Sequence, residues 1–273
     1  MITIQRVGED YEFEIWADPP FIYLDHWAVR RLSENRTLGD RFLVAFKHCG
    51  TVMFSLMNVA EIARDAVRSR AEQIHDFLAE LGPRWFPMTI DPIRIIEAEE
   101  TGRTPDGLPP CASDEFLTDP QFGACLVNGP LSLSHVVDLT FGPGGEGLRQ
   151  VTDRKTAQLR QNIQEWRDEY ARNPNELDNR YPLLQFDALR PMRGIYYALA
   201  RYTITDTFRL NDNHARDLFH AVASVHCADM VTLDAHWAGQ VRKLRLPPNF
   251  VRVFSETELD QFLADLEASP ATR

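Results

Sequence analysis

Four carboxylates stand where short apolar runs end or where helical patterns begin: Asp25, Glu61, Asp217 and Asp234. Asp25 closes the run Phe21-Ile22-Tyr23-Leu24, and Asp234 closes Met230-Val231-Thr232-Leu233. Glu61 falls in the first turns of a helical pattern after Thr51-Val52-Met53-Phe54. Asp217 lies near the start of the helical pattern that precedes the Met230 run. Carboxylates gathered at one place repel and raise each other's pKa, a penalty that a cation removes. Mg²⁺ is a hard ion that takes oxygen ligands and keeps several waters. Two such ions about 3.5–4 Å apart activate water and stabilise the leaving oxygen in phosphodiester hydrolysis. If the fold brings the four side chains together, they are expected to hold Mg²⁺ and to carry that reaction.

The elements that must position them follow from periodicity. Residues 1–20 alternate apolar and polar around Gly8-Glu9-Asp10, a hairpin pattern stopped by Asp18-Pro19-Pro20. Phe21–Leu24, Thr51–Phe54, Met230–Leu233 and Phe250–Phe254 read as strands; Phe86–Ile90 reads as an extended link. A helix is expected after Asp25 through Trp27, Val29 and Leu32. Another follows Ser55, an N-cap with Asn58 at the third helical position. Further helices are expected over Ala71–Leu81, Pro92–Glu100, Ala188–Tyr202, Ala215–Ala228 and Thr257–Glu267. From Thr152 onward Leu159, Ile163, Trp166 and Tyr170 form one apolar stripe. Residues 101–150 are rich in proline and glycine and read as irregular. Strands alternating with helices predict an α/β fold with a mainly parallel sheet, whose ligands sit at the carboxyl ends of the strands. Asp25 and Asp234 should both face that crevice.

Composition bounds the alternatives. The chain has 273 residues, 44% of them hydrophobic, enough for a packed core. No apolar run reaches the ~18 residues that span a bilayer, and the N-terminal residues carry no secretory pattern. A cytoplasmic protein with no membrane partner is the expectation. The four cysteines (Cys49, Cys111, Cys125, Cys227) are scattered and read as reduced thiols. The net charge of −11 argues against gripping nucleic acid over the whole surface. Any such partner would have to meet a local basic patch.

Phe21-Ile22-Tyr23-Leu24-Asp25 resembles the opening strand and first aspartate of the PIN-domain nucleases. Ser55-Leu56-Met57-Asn58-Val59-Ala60-Glu61-Ile62 resembles the segment carrying their glutamate. Asp217-Leu218-Phe219-His220-Ala221-Val222-Ala223, followed by Asp229-Met230-Val231-Thr232-Leu233-Asp234, is similar to the D-x-x-H-A-x-x-A and D-x-V-T-x-D stretches of VapC-type toxins. The resemblance covers about residues 21–100 and 205–256. It implies a three-layer α/β/α core and a metal-dependent endoribonuclease. Asp25, Glu61, Asp217 and Asp234 are then both Mg²⁺ or Mn²⁺ ligands and catalytic residues. It also implies RNA as substrate, with DNA left open, a toxin–antitoxin or phage-defence setting, an antitoxin or other protein partner over the acidic cleft, and dimer formation. His26-Trp27 departs from the small hydroxyl or Asn that commonly follows the first aspartate. Residues 1–20 (hairpin), 101–204 (an insertion, irregular then helical) and 257–273 (helix and tail) lie outside the core.

Other residues are weighed beside these four. Thr232 is a candidate to orient the cluster, and Asn58 to face the cleft. Asp229 is expected to make a turn contact before its strand. His214, His220 and His226 recur every six residues, off one helix face, so no zinc site is expected of them; His220 should pack beside the acidic set. Glu97, Glu99 and Glu100 read as a solvated helix end, and Arg30, Arg31, Arg36 and Arg41 as a solvated face or a phosphate contact. The competing reading is a non-catalytic scaffold of the same kind that binds RNA or protein. A haloacid-type phosphatase would need an acidic pair that Asp25-His26-Trp27 lacks.

Overall fold

A computed structural model of the chain describes residues 2–7, 10–62, 68–104, 109–113, 129–141 and 143–269. The alternating N-terminal residues form strands β1 (Ile2–Val7) and β2 (Asp10–Ile15), an antiparallel pair with Ile4 opposite Phe13. The remaining short apolar runs become β3 (Phe21–Tyr23), β4 (Thr51–Phe54), β5 (Trp85–Pro87), β7 (Met230–Thr232) and β8 (Arg252–Phe254). These five form one sheet in the order β5-β4-β3-β7-β8, each neighbouring pair parallel. The segment read as a link at Phe86–Ile90 therefore supplies the edge strand. It is only three residues long, too short to show alternation, and pairing with β4 decides its state.

Strands this apolar must be covered on both faces. The two-residue period sends Ile22, Leu24, Val52, Phe54, Met230 and Phe254 into one core, and Tyr23, Met53, Phe86, Val231 and Leu233 into another. The first core is completed by α1 (His26–Glu34), α2 (Arg36–His48), α4 (Arg68–Leu81) and the C-terminal helix α12 (Leu259–Glu267). The second is completed by α5 (Pro92–Thr101), α9 (Pro191–Thr205), α10 (Asp212–Cys227) and α11 (Ala235–Lys243). The result is an α/β chain with a parallel sheet between two helical layers. Among the described residues no helix is long and apolar enough to cross a membrane.

The described parts of 101–150 carry more regular structure than their composition suggests. Gly129–Pro130 forms β6, which adds to the edge of β1. Helix α6 (Leu133–Phe141) follows, and the long α7 starts at Pro143 and runs to Arg172. Leu133, Val136 and Val137 have i, i+3, i+4 spacing and are buried, where α6 packs against α4. Pro143 stands at the first helical position, where its missing N–H leaves no hydrogen bond unmade. The indole N–H of Trp85 donates to the Leu131 carbonyl at 2.7 Å, tying this segment to the sheet edge. The short α8 (Asn175–Arg180) leads on toward α9. Gly8, Glu9, Ala63, Ala66, Val67, Cys125, Gly142 and the tail 270–273 lie outside the described residues.

Candidate active site

The acidic residues are positioned by capping. Asp25 is the N-cap of α1, its carboxylate accepting from the His26 N–H at 2.9 Å. Asp234 is the N-cap of α11 and accepts from the Trp237 N–H at 2.7 Å. Caps need a short acidic or hydroxyl side chain at the first orphan donors, so each aspartate is held at a strand's carboxyl end. Thr232 joins the two strands: its hydroxyl accepts from the Asp25 N–H at 2.9 Å and donates to the Tyr23 carbonyl at 3.3 Å. Asp229 accepts from the Phe21 N–H at 2.7 Å, a contact ahead of β7.

Glu61 sits on α3 (Leu56–Ile62). That helix opens on a reciprocal cap: the Asn58 N–H donates to Ser55 Oγ at 3.2 Å, and Asn58 Oδ1 accepts from the Ser55 N–H at 3.0 Å. Asn58 Nδ2 then donates to the Tyr23 hydroxyl at 3.0 Å. Tyr23 in turn bonds His220 Nδ1. The ring's other nitrogen, Nε2, makes no hydrogen bond among the described residues. That atom lies 4.0 Å from Glu61 Oε2. Burial lowers the His220 pKa, so the ring is neutral beside the acidic residues.

Arg216 was not picked out by its sequence position. Its Nη1 donates to Glu61 Oε1 at 2.9 Å and its Nη2 to Asn213 Oδ1 at 3.0 Å. The two ion-pair side chains are only 10% and 12% exposed. Two of the four carboxylates, Asp25 and Asp217, are shifted by their acidic neighbours. Burial, then the charges of Glu61 and Asp234, push Asp217 up to about 7, against the pull of Arg216. Burial, then Glu61 and Asp217, raise Asp25 well above the usual range, partly opposed by the His26 N–H. One guanidinium therefore does not balance the cluster. The set offers only oxygen donors, the kind a hard divalent cation takes, but among the described residues no three of these carboxylates bring ligand atoms within 4.8 Å of one another.

A pH dependence follows for protein stripped of divalent ions. Asp217 has its folded pKa raised from 3.8 to about 7. A group of this sign adds stability that is complete below the unfolded value and lost as pH rises through the folded one. Urea denaturation in EDTA should show stability falling between about pH 4 and pH 7 by up to a few kcal/mol, at ~1.4 kcal/mol per pKa unit. Saturating Mg²⁺ should flatten the curve. A metal-free profile that rises over this window would mean that the carboxylates are not crowded.

A cleft of about 640 Å³ opens between α3, the residues after β5, and α7; none of the four carboxylates lines it. Trp166, Tyr181, Tyr196, Tyr197 and Phe219 give it aromatic walls, with Lys155 among the lining residues. Helices α3 and α10 serve both places: Met57 and Phe219 line the cleft, Glu61 and Asp217 the acidic cluster. Residues from Val151 to Tyr197 thus supply much of the cavity wall.

One expectation needs correction. Glu99 is not solvated: its side chain is 4% exposed, it bonds His226 Nε2 at 2.6 Å, and it accepts from the Met192 N–H at 3.2 Å. Cys49, Cys111 and Cys227 are free thiols, and the fold brings Cys111 and Cys227 together around His226. Against the desolvation that would lower it, Cys111 and Glu99 raise His226 to about 9. The hydrogen bond from Cys227 draws Cys111 down to about 6. The adjacent pair His226-Cys227 was visible in sequence; its partners, on distant segments, were not. Arg41, one of the four arginines after Asp25, pairs with Glu267 at 2.9 Å and Asp260 at 3.2 Å on α12.

The chain matches no protein-family model, no curated protein and no solved structure.

Proposed function

We propose that the chain is a PIN-type, divalent-metal-dependent nuclease acting on RNA. One observation carries this reading: Asp25 and Asp234 cap helices at the ends of adjacent parallel strands, with Glu61 and Asp217 near enough to Asp25 to raise its pKa. Ligands of open α/β sheets sit at those strand ends. Bound Mg²⁺ or Mn²⁺ would supply Lewis acidity toward water and the scissile phosphate.

The protein's own groups do the rest. Asp25, Glu61, Asp217 and Asp234 hold the cation. Thr232 fixes the Asp25 backbone against β7, so the two capping aspartates keep one spacing. Arg216 holds one Glu61 oxygen and leaves the other free of that bond. The neutral His220 adds no charge to compete with the metal. Aromatic side chains of the cleft offer stacking surfaces for bases, worth ~1–3 kcal/mol each in single-strand binding.

The test is incubation of the purified protein with mixed RNA and single-stranded DNA, in Mg²⁺, in Mn²⁺ and in EDTA. Cleavage of RNA with either ion and none in EDTA is the expected result. The Glu61–Arg216 ion pair favours a second reading, a non-catalytic scaffold in which the guanidinium stands where the cation would. Binding of RNA with no cleavage under any ion would select that reading.

A further inference from the structure

We propose a second metal site, for Zn²⁺ or a similar thiophilic ion, built from Cys111 Sγ, Cys227 Sγ and His226 Nδ1, with Glu99 as the positioning residue. The three donors lie within 4.8 Å of one another. His226 Nδ1 is 3.4 Å from Cys227 Sγ. Ligands ~2.3 Å (sulfur) and ~2.0–2.1 Å (nitrogen) from a tetrahedral zinc are about 3.5 Å apart. The donors therefore already stand near the spacing that an ion between them would set.

The other side of the imidazole completes the arrangement. His226 Nε2 is 2.6 Å from Glu99 Oε1, and Glu99 Oε2 is held by the Met192 N–H at 3.2 Å. A metal-binding histidine usually gives its second ring N–H to a carboxylate, which fixes the tautomer and turns the free nitrogen to the ion. Here that carboxylate is buried, as are His226 at 8% and Cys111 at 2% exposure. Cys111 is also fixed by its backbone, its carbonyl accepting from the Thr89 N–H at 2.9 Å.

Sulfur donors select against Mg²⁺ and Mn²⁺ and for zinc and its neighbours. Three protein donors leave the fourth tetrahedral position to a small exogenous donor such as water. The site is distinct from the acidic cluster, since His226 lies roughly 14 Å along α10 from Asp217 at ~1.5 Å per residue. An ion there would tie the end of α10 to the segment at Cys111, and through Glu99 to α5 and the first turn of α9. It would clasp the start of the insertion to the sheet layer, whatever reaction the acidic cluster performs.

The experiment uses the full reduced chain in excess Mg²⁺, which keeps oxygen sites filled. Zinc is measured by plasma mass spectrometry after dialysis, and Co²⁺ is then titrated into metal-free protein. One zinc per chain, and a cobalt complex with a thiolate charge-transfer band and intense visible absorption, are expected. Cys111→Ser with Cys227→Ser should lose both signals, and Asp25→Asn should keep them. Glu99→Gln retains every ligand and should weaken zinc about 10–100-fold in chelator competition, a readout that stands even if the cysteine variant does not fold. Zinc retained equally by the double-cysteine variant would overturn the proposal. So would a reduced wild-type chain that takes up neither ion, or a Cys111–Cys227 disulfide in its place.

Discussion

Asp25→Asn abolishes metal-dependent cleavage and leaves the metal-free protein at least as stable as the wild type. The two halves of this result have separate causes. A metal contributes several kcal/mol of charge stabilisation in such transition states, and ~1.4 kcal/mol is tenfold in rate. Replacing a charged ligand by an amide should therefore lower cleavage on the order of a thousandfold. Asparagine nevertheless caps helices as well as aspartate, so the bond from the His26 N–H survives. It also removes a buried negative charge that Glu61 and Asp217 oppose. Cleavage is read on labelled RNA, and stability by urea denaturation in EDTA. Undiminished cleavage would take Asp25 out of the site. Lost cleavage with a large loss of metal-free stability would make its role structural.

Arg216→Ala should be among the most destabilising single changes at the site. Removing one partner of a buried ion pair leaves the other charge uncompensated, at ~3–5 kcal/mol, a large part of the ~5–15 kcal/mol of a typical domain. Glu61 would face Asp217 without its guanidinium. Two controls identify the cause. Glu61→Gln in the same chain should recover much of the loss, because residues in direct contact couple energetically. Added Mg²⁺ should stabilise Arg216→Ala more than the wild type, since the cation takes over the charge of the missing arginine. A loss that neither control reduces would assign the effect to packing around α10. A negligible loss would mean that the pair is solvated in solution.

The strand ends and their acids were legible because both are local. A short apolar run that stops on an aspartate capping the next helix is a pattern of neighbours, and Asp25 and Asp234 follow it. Ser55 with Asn58 is legible for the same reason, whereas Asp229 bonds the Phe21 N–H, 208 positions away on the neighbouring strand, instead of a turn of its own. The helices at Leu133–Phe141 and from Pro143 were hidden by proline and glycine, whose effect depends on position within a helix rather than on number.

The sequence alone determined that four of the five strands of the sheet are extended, that the sheet is mainly parallel, and that Asp25 and Asp234 stand at strand ends. Tertiary structure alone decided what the four carboxylates meet. Arg216 reaches Glu61 across 155 positions, Tyr23 reaches His220 across 197, and Glu99 reaches His226 across 127. Local patterns follow from backbone geometry and from periods of two or 3.6 residues. Whether a charged or sulfur-bearing side chain is solvated, paired or ready for a metal depends on what packing sets opposite it. No spacing in the chain encodes that.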